Sequence, residues 1–166
     1  MQFNWKKRLI SQSALTETRE KLTKQKKTIV YTAGAWDMLH VGQIRYLHEA
    51  KKMGDVLVVG VSSNMAVRKI KGSNRPILDE KIRAEMLTYI RFVDLVTILP
   101  EPSTQPTLAL LQPNIYITVK ENWNEDYKKS KEYRTVTKYG GEVKLIDRQS
   151  PYISTTQILR RSVSAE

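Results

Sequence analysis

The feature that most constrains this 166-residue chain is an alternation: short apolar, β-branched runs are separated by segments of helical periodicity. The runs fall at Thr28–Thr32, Asp55–Val61, Val93–Leu99, Ile115–Val119 and Val143–Ile146. Strands joined through helices pair in parallel, and a parallel sheet is stable only when helices cover both of its faces. The pattern therefore predicts an α/β fold of Rossmann-like type, with three α/β/α layers around a five-stranded parallel sheet.

The helices follow from spacing and punctuation. Val41, Ile44, Leu47 and Ala50 predict a helix over Val41–Met53 that Gly54 ends. Shorter helices are expected at Asn64–Ile70 and Thr107–Leu111, and a helix opened by Asp79 directs Ile82, Met86, Leu87 and Ile90 inward. A polar helix over Asn124–Tyr139 ends at Gly140 and Gly141, and Ser154 opens the final helix. Ahead of the first strand, Ser11–Gln25 reads as an amphipathic helix capped by Ser13, with Leu15 and Leu22 on one stripe. Residues 1–27 thus form a basic helical segment packed on the domain built by residues 28–166, as one unit overall.

Composition removes several classes of function. No cysteine is present, so disulfides, thiolate zinc sites and cysteine nucleophiles are excluded, and any metal must bind oxygen or the two histidines. The first ten residues lack an apolar signal core and the longest strongly apolar run, Val56–Val61, cannot span a bilayer, so a cytoplasmic protein is expected. The net charge of +11 concentrates phosphate-bearing partners. No nucleic-acid-binding module accompanies it, and nucleotides and sugar phosphates are anionic too, so small anions are the expected partners.

The chemistry concentrates in Gly34-Ala35-Trp36-Asp37-Met38-Leu39-His40-Val41-Gly42-Gln43, a strand exit, loop and helix start. Parallel sheets bind ligands beyond the carboxyl ends of their strands, and a helix N-terminus there offers free N–H groups to phosphate. Gly42 lets an anion approach the backbone, and His40 can donate to phosphate oxygens.

This stretch resembles the G-x-F-D-x-x-H-x-G-H signature of the cytidylyltransferase-like family, within the superfamily that includes class I aminoacyl-tRNA synthetases. The similarity extends through VYTAGAWDMLHVGQIRYL (Val30–Leu47), DVLVVGVSSN (Asp55–Asn64), VRKIKGSNRPILDEKIR (Val67–Arg83) and ISTTQI (Ile153–Ile158). In order and spacing these follow the adenylyltransferase domain of bacterial heptose 1-phosphate enzymes, and more distantly glycerol-3-phosphate cytidylyltransferase. The resemblance implies transfer of NMP from ATP or CTP to a phosphorylated sugar or polyol, with Mg²⁺ carried on the NTP, no metal ligand from the protein, and a homodimer. It implies nucleotide contacts from Gly34, Ala35, Trp36, Asp37, His40, Gly42, Gln43, Arg83, Arg148, Ser154, Thr155 and Thr156. Catalytic roles fall on His40, Gln43, Lys69 and Lys71, and acceptor contacts on Lys69, Lys120, Asn122, Trp123 and Lys128.

Two positions depart from the family pattern. Gln43 stands where the signature has its second histidine, so a neutral donor replaces one that can carry charge. Lys120-Glu121 replaces a glycine-rich turn after the fourth strand, so these side chains either reshape the pocket or point elsewhere. The alternatives are a CTP-dependent enzyme acting on another phosphate or phosphonate, and a nucleotide-binding pseudoenzyme.

Overall fold

The computed structural model describes residues 3–122, 126–149 and 154–163. Five strands, β1 (Ile29–Gly34), β2 (Val56–Ser62), β3 (Leu95–Leu99), β4 (Ile115–Val119) and β5 (Glu142–Ile146), form one sheet in the order β3-β2-β1-β4-β5. Every pairing is parallel, with Ile29 opposite Val56, Val58 opposite Leu95, Val30 opposite Ile115, and Ile115 opposite Glu142. From central β1 the chain builds outward through β2 to β3, then returns to place β4 on the other side of β1. That reversal leaves a crevice beyond the carboxyl ends of β1 and β4, where connections diverge.

The period of two along each strand sorts side chains between two cores. Val30, Leu57, Val59, Ile115 and Ile117 join Leu47 and Ala50 of α2 (Val41–Lys51) and Ala84 and Leu87 of α4 (Glu80–Thr88) on one face. Ile29, Tyr31, Val58 and Tyr116 face the opposite way. They meet Leu15 of α1 (Leu15–Lys24), Leu108 and Leu111 of α5 (Gln105–Leu111), and Val136 of α6 (Lys131–Lys138). These are the three layers read from the alternation. Gly60 of β2 is held to glycine by contact: a Cβ there would lie 2.3 Å from the Tyr31 hydroxyl oxygen and 2.7 Å from Leu99 Cδ1.

The segment before β1 is tied into this body. Ile10 donates its N–H to Val96 at 2.9 Å, beside a parallel bridge between Leu9 and Val96 on the free edge of β3. Arg8 donates one guanidinium nitrogen to the carbonyls of Thr88, Ile90 and Val93 at 3.0, 3.3 and 3.0 Å, satisfying groups left open at the end of α4. Leu15 is fully buried, which contributes about 2 kcal/mol.

Several local expectations give way. The first turn before α1 is a 3-10 turn, Gln12–Ala14, and Ser13 pairs with Ser11 at 2.8 Å instead of capping the helix. Ile82, expected to face inward, is about half exposed, as is Val41 at the start of α2, while Tyr46 and Arg83 are buried. The polar stretch expected as one helix over Asn124–Tyr139 contains a 3-10 turn, Tyr127–Lys129, and then α6. Ser130 separates them, its hydroxyl accepting the Tyr133 N–H at 3.0 Å. Residues 124 and 125 of that stretch lie outside the described residues. Among the described residues no helix is long and apolar enough to cross a membrane.

Candidate nucleotide site

Beyond Gly34 the chain makes a tight loop, Ala35 to His40, before α2 begins. Trp36 and Met38 sit at φ +52° and +54°, a left-handed conformation that costs a side-chain-bearing residue on the order of 1 kcal/mol or more. Neighbouring groups over-determine that shape. The Trp36 indole N–H donates to the Gly60 carbonyl at 2.8 Å, and its ring packs so close to Gly34 that a Cβ there would lie 3.1 Å from it. The Asp37 carboxylate accepts from Arg75 Nε at 2.8 Å, from the Ile77 N–H at 2.9 Å and from the Leu78 N–H at 3.0 Å. The Asp37 carbonyl accepts from the Thr155 hydroxyl at 2.8 Å, at the start of α7 (Thr155–Val163). One residue thus fastens the cradle to the loop after α3 (Asn64–Lys71) and to the final helix. Burial pushes the Asp37 carboxyl upward, but the donated N–H groups and the Arg75 guanidinium outweigh it and hold the acid below its ordinary range.

A cavity of about 330 Å³ opens over this loop at the carboxyl ends of β1 and β4. Its floor is Ala33 to Trp36 with Thr118 and Val119, and its walls are His40, Gly42 and Gln43 at the start of α2, Lys71, Arg148, and Ser154 to Thr156. His40 is the N-cap residue of α2, and its buried Nδ1 sits in the capping arrangement with the Gln43 backbone N–H without closing a hydrogen bond of normal geometry. Burial first, then the positive charge of Arg148, holds its imidazole below the ordinary histidine value. Gln43 has its amide oxygen on the His40 N–H at 3.2 Å, one half of a capping arrangement, which leaves the NH₂ as its donor to a ligand.

Lys71 is shifted by the same two kinds of cause, burial and neighbouring cations. Although much of its side chain is exposed, its ammonium is held below the usual lysine range by desolvation first and then by Arg75, with Asp37 opposing and Arg148 and Arg83 adding to the effect. Asp37 is the sole carboxylate among the described lining residues, and its oxygens are engaged. The cavity is therefore a region of surplus positive potential backed by a helix N-terminus, which favours a polyanion.

The other residues singled out in the sequence divide. Ser154 is half-buried and caps α7, accepting the Gln157 N–H at 3.2 Å; Thr155 is buried against the cradle and Thr156 is exposed on the cavity wall. Trp36 is only 5% exposed and belongs to the core, so it supports the floor and offers a base little ring face. Arg83 does not line the cavity. Wholly buried, it donates to the Leu78 carbonyl at 2.9 Å, to Asn64 at 2.9 Å and to the Ala35 carbonyl, bracing the cradle from behind.

Lys69, Lys120 and Lys128 are exposed and lie outside the lining. Lys120 faces Asp147 at 4.0 Å and Glu121 accepts the Arg148 N–H at 3.0 Å, so the pair that replaces the glycine-rich turn lashes the exits of β4 and β5 together. Asn122 closes the 3-10 turn Lys120–Asn122, and Trp123 lies outside the described residues. Two contributors had no distinctive sequence signal. Arg75 is one of several cations in its region until its contact with Asp37 is seen. Tyr46 reads as core, yet it lines the cavity with its hydroxyl held by Thr32 at 2.7 Å and the Ile117 carbonyl at 3.1 Å.

A five-stranded parallel sheet with a basic cavity and a helix N-terminus at its switch point defines a Rossmann-like α/β protein of the kind that holds anionic ligands at this edge. The chain belongs to the cytidylyltransferase-like family, whose model matches residues 31–161. It is 34% identical over 148 residues to the bifunctional protein HldE of Syntrophotalea carbinolica, covering 89% of this chain and 29% of that protein. With HldE of Campylobacter fetus subsp. fetus it shares 41% identity over 121 residues, covering 73% of this chain and 25% of the relative. The chain thus spans under a third of these relatives. Among solved structures it is similar to the lipopolysaccharide core biosynthesis protein of Thermoplasma volcanium GSS1. That match has a TM-score of 0.62 and 28% identity, over 76% of this chain and 99% of that one. Pantoate-beta-alanine ligase of Francisella tularensis shares the fold alone, with a TM-score of 0.58 and 14% identity over 93% of this chain and 76% of that one.

Proposed function

We propose that the chain is a nucleotidyltransferase that moves NMP from an NTP to a phosphorylated sugar or polyol and releases pyrophosphate. The observation that carries this reading is the surplus positive charge of Lys71 and Arg148 around one cavity at the cradle of a cytidylyltransferase-like domain. In the reaction an acceptor phosphate oxygen attacks the α-phosphorus in line. The new P–O bond forms as the bond to the β-phosphate oxygen breaks, and no covalent enzyme intermediate is required.

The protein's part is to hold two anions that repel one another and to stabilise charge on the departing pyrophosphate. The N–H groups at the start of α2 take the triphosphate, with His40 and the Gln43 amide donating to transferring and leaving oxygens. Lys71 and Arg148 supply charge from the lining, and the start of α7 adds its hydroxyls and N–H groups to the phosphates. Mg²⁺ fits as a companion of the triphosphate, because Asp37 has its oxygens engaged and no group of three acidic or histidine side chains is placed to hold a metal among the described residues. Bound there, it would neutralise phosphate charge. ATP is favoured over CTP by the similarity to heptose 1-phosphate adenylyltransferase domains, and the rewritten exit of β4 is why the acceptor is kept to the wider class of sugar and polyol phosphates.

The test is pyrophosphate release from each NTP with Mg²⁺ and a panel of sugar, polyol and alkyl phosphates. Release with one NTP and one acceptor class is the expected result; silence across the panel together with tight NTP binding marks a nucleotide-binding protein without turnover. That second reading draws on Gln43, whose neutral amide has its oxygen tied to the backbone.

A further inference from the structure

The cation that anchors the loop after α3 has a guanidinium nitrogen to spare. Arg75 is 11% exposed at its side chain, and its Nε meets Asp37 at 2.8 Å. One terminal nitrogen is buried with no partner among the described residues. An orphaned charged donor in a protein interior is costly, and it persists where a ligand completes it. Arg75 does not itself line the cavity, but Asp37, which its Nε meets, does, and the Asp37 oxygens are already engaged. Lys71 lines the cavity. An anion settling on the Asp37 side of this cavity would meet the Arg75 guanidinium that Asp37 holds.

We propose that Arg75 is an anion-binding and positioning residue of this site: it fixes the loop to Asp37 through Nε and offers a terminal nitrogen to a phosphate oxygen held jointly with Lys71. The inference rests on the reading of the cavity as a polyphosphate site. It makes anion binding and loop order one event, because the bond that seats the ligand and the bond that seats the loop share a rigid planar fork.

The test uses inorganic tripolyphosphate as probe, with calorimetric affinities for the wild type, Arg75→Lys and Asp37→Asn, and a melting curve for each. Arg75→Lys keeps a cation for Asp37 but removes the second nitrogen, so binding should weaken at least tenfold with little change in melting temperature. Asp37→Asn loosens the loop but leaves the guanidinium, and should bind more tightly than Arg75→Lys. An Arg75→Lys variant that binds like the wild type overturns the proposal, as does an Asp37→Asn variant that loses as much affinity, since both leave Arg75 as a structural tie only. A wild type that binds no tripolyphosphate defeats the underlying reading of the cavity instead.

Discussion

Gln43 reaches back one turn and accepts the backbone N–H of His40 on its amide oxygen at 3.2 Å. The residue that replaces an ionisable group in the family signature is therefore also part of the lock at the helix start. Gln43→His introduces a donor that can carry charge and removes that acceptor. Charge-assisted bonds are about twice as strong as neutral ones, so pyrophosphate release should rise roughly tenfold. Loss of the cap should cost about 1 kcal/mol in urea unfolding. An unchanged rate with the cap loss present would show that the amide does not limit turnover.

Two lysines in one helix should separate cleanly. Lys71 borders the cavity and feels its other cations, whereas Lys69 is exposed outside the lining. Lys71→Ala should weaken NTP binding by about tenfold to a hundredfold, the range for a lost bond to a charged group. Lys69→Ala should stay within about twofold, as for a solvated surface charge. Equal effects in titration calorimetry would contradict the placement of the site.

His40 gives the pH dependence. Burial and then Arg148 hold its imidazole below the ordinary value, so the empty folded state prefers the neutral ring, and protonation disfavours that state as pH falls below about 6.5. A polyphosphate beside Nδ1 reverses the preference. Binding should take up a proton, and affinity for tripolyphosphate should rise between about pH 8 and about pH 6. Imidazole resonances titrated with and without tripolyphosphate should show a raised midpoint in the complex; an unmoved midpoint would remove His40 from the anion site.

Arg83 should matter through stability. Arg83→Met leaves the carbonyls of Leu78 and Ala35 and the Asn64 side chain without this donor, in a position closed to water. The expected loss is about 3 kcal/mol in urea unfolding. A loss under about 1 kcal/mol would show that the cradle does not depend on this brace.

The fold was legible where hydrophobicity alone decides. Ile115–Val119 is a strand with the predicted bounds because five consecutive apolar or β-branched residues have no other place to go than the middle of a covered sheet. Faces of helices were read less well. Periodicity placed Ile82 inward and the resemblance gave Arg83 a nucleotide contact, whereas the structure leaves Ile82 half exposed and buries Arg83 behind the cradle, because three acceptors, two of them from distant segments, make burial of a guanidinium tolerable. No local pattern encodes acceptors that tertiary structure supplies. In the site, the helix start and the final Ser-Thr-Thr segment do meet over one cavity, but Tyr46 joins its lining, and Arg75 backs it through Asp37, by contacts made at long sequence range.

The bond from the Trp36 indole to Gly60, in a strand position that admits no side chain, sets where change is permissible. Recontouring that bedrock would break the sheet beneath it, whereas the exposed lashings at Lys120 and Asp147 can be rewritten at little thermodynamic expense. New acceptor preferences, natural or engineered, should therefore accumulate at the rim over an unaltered foundation.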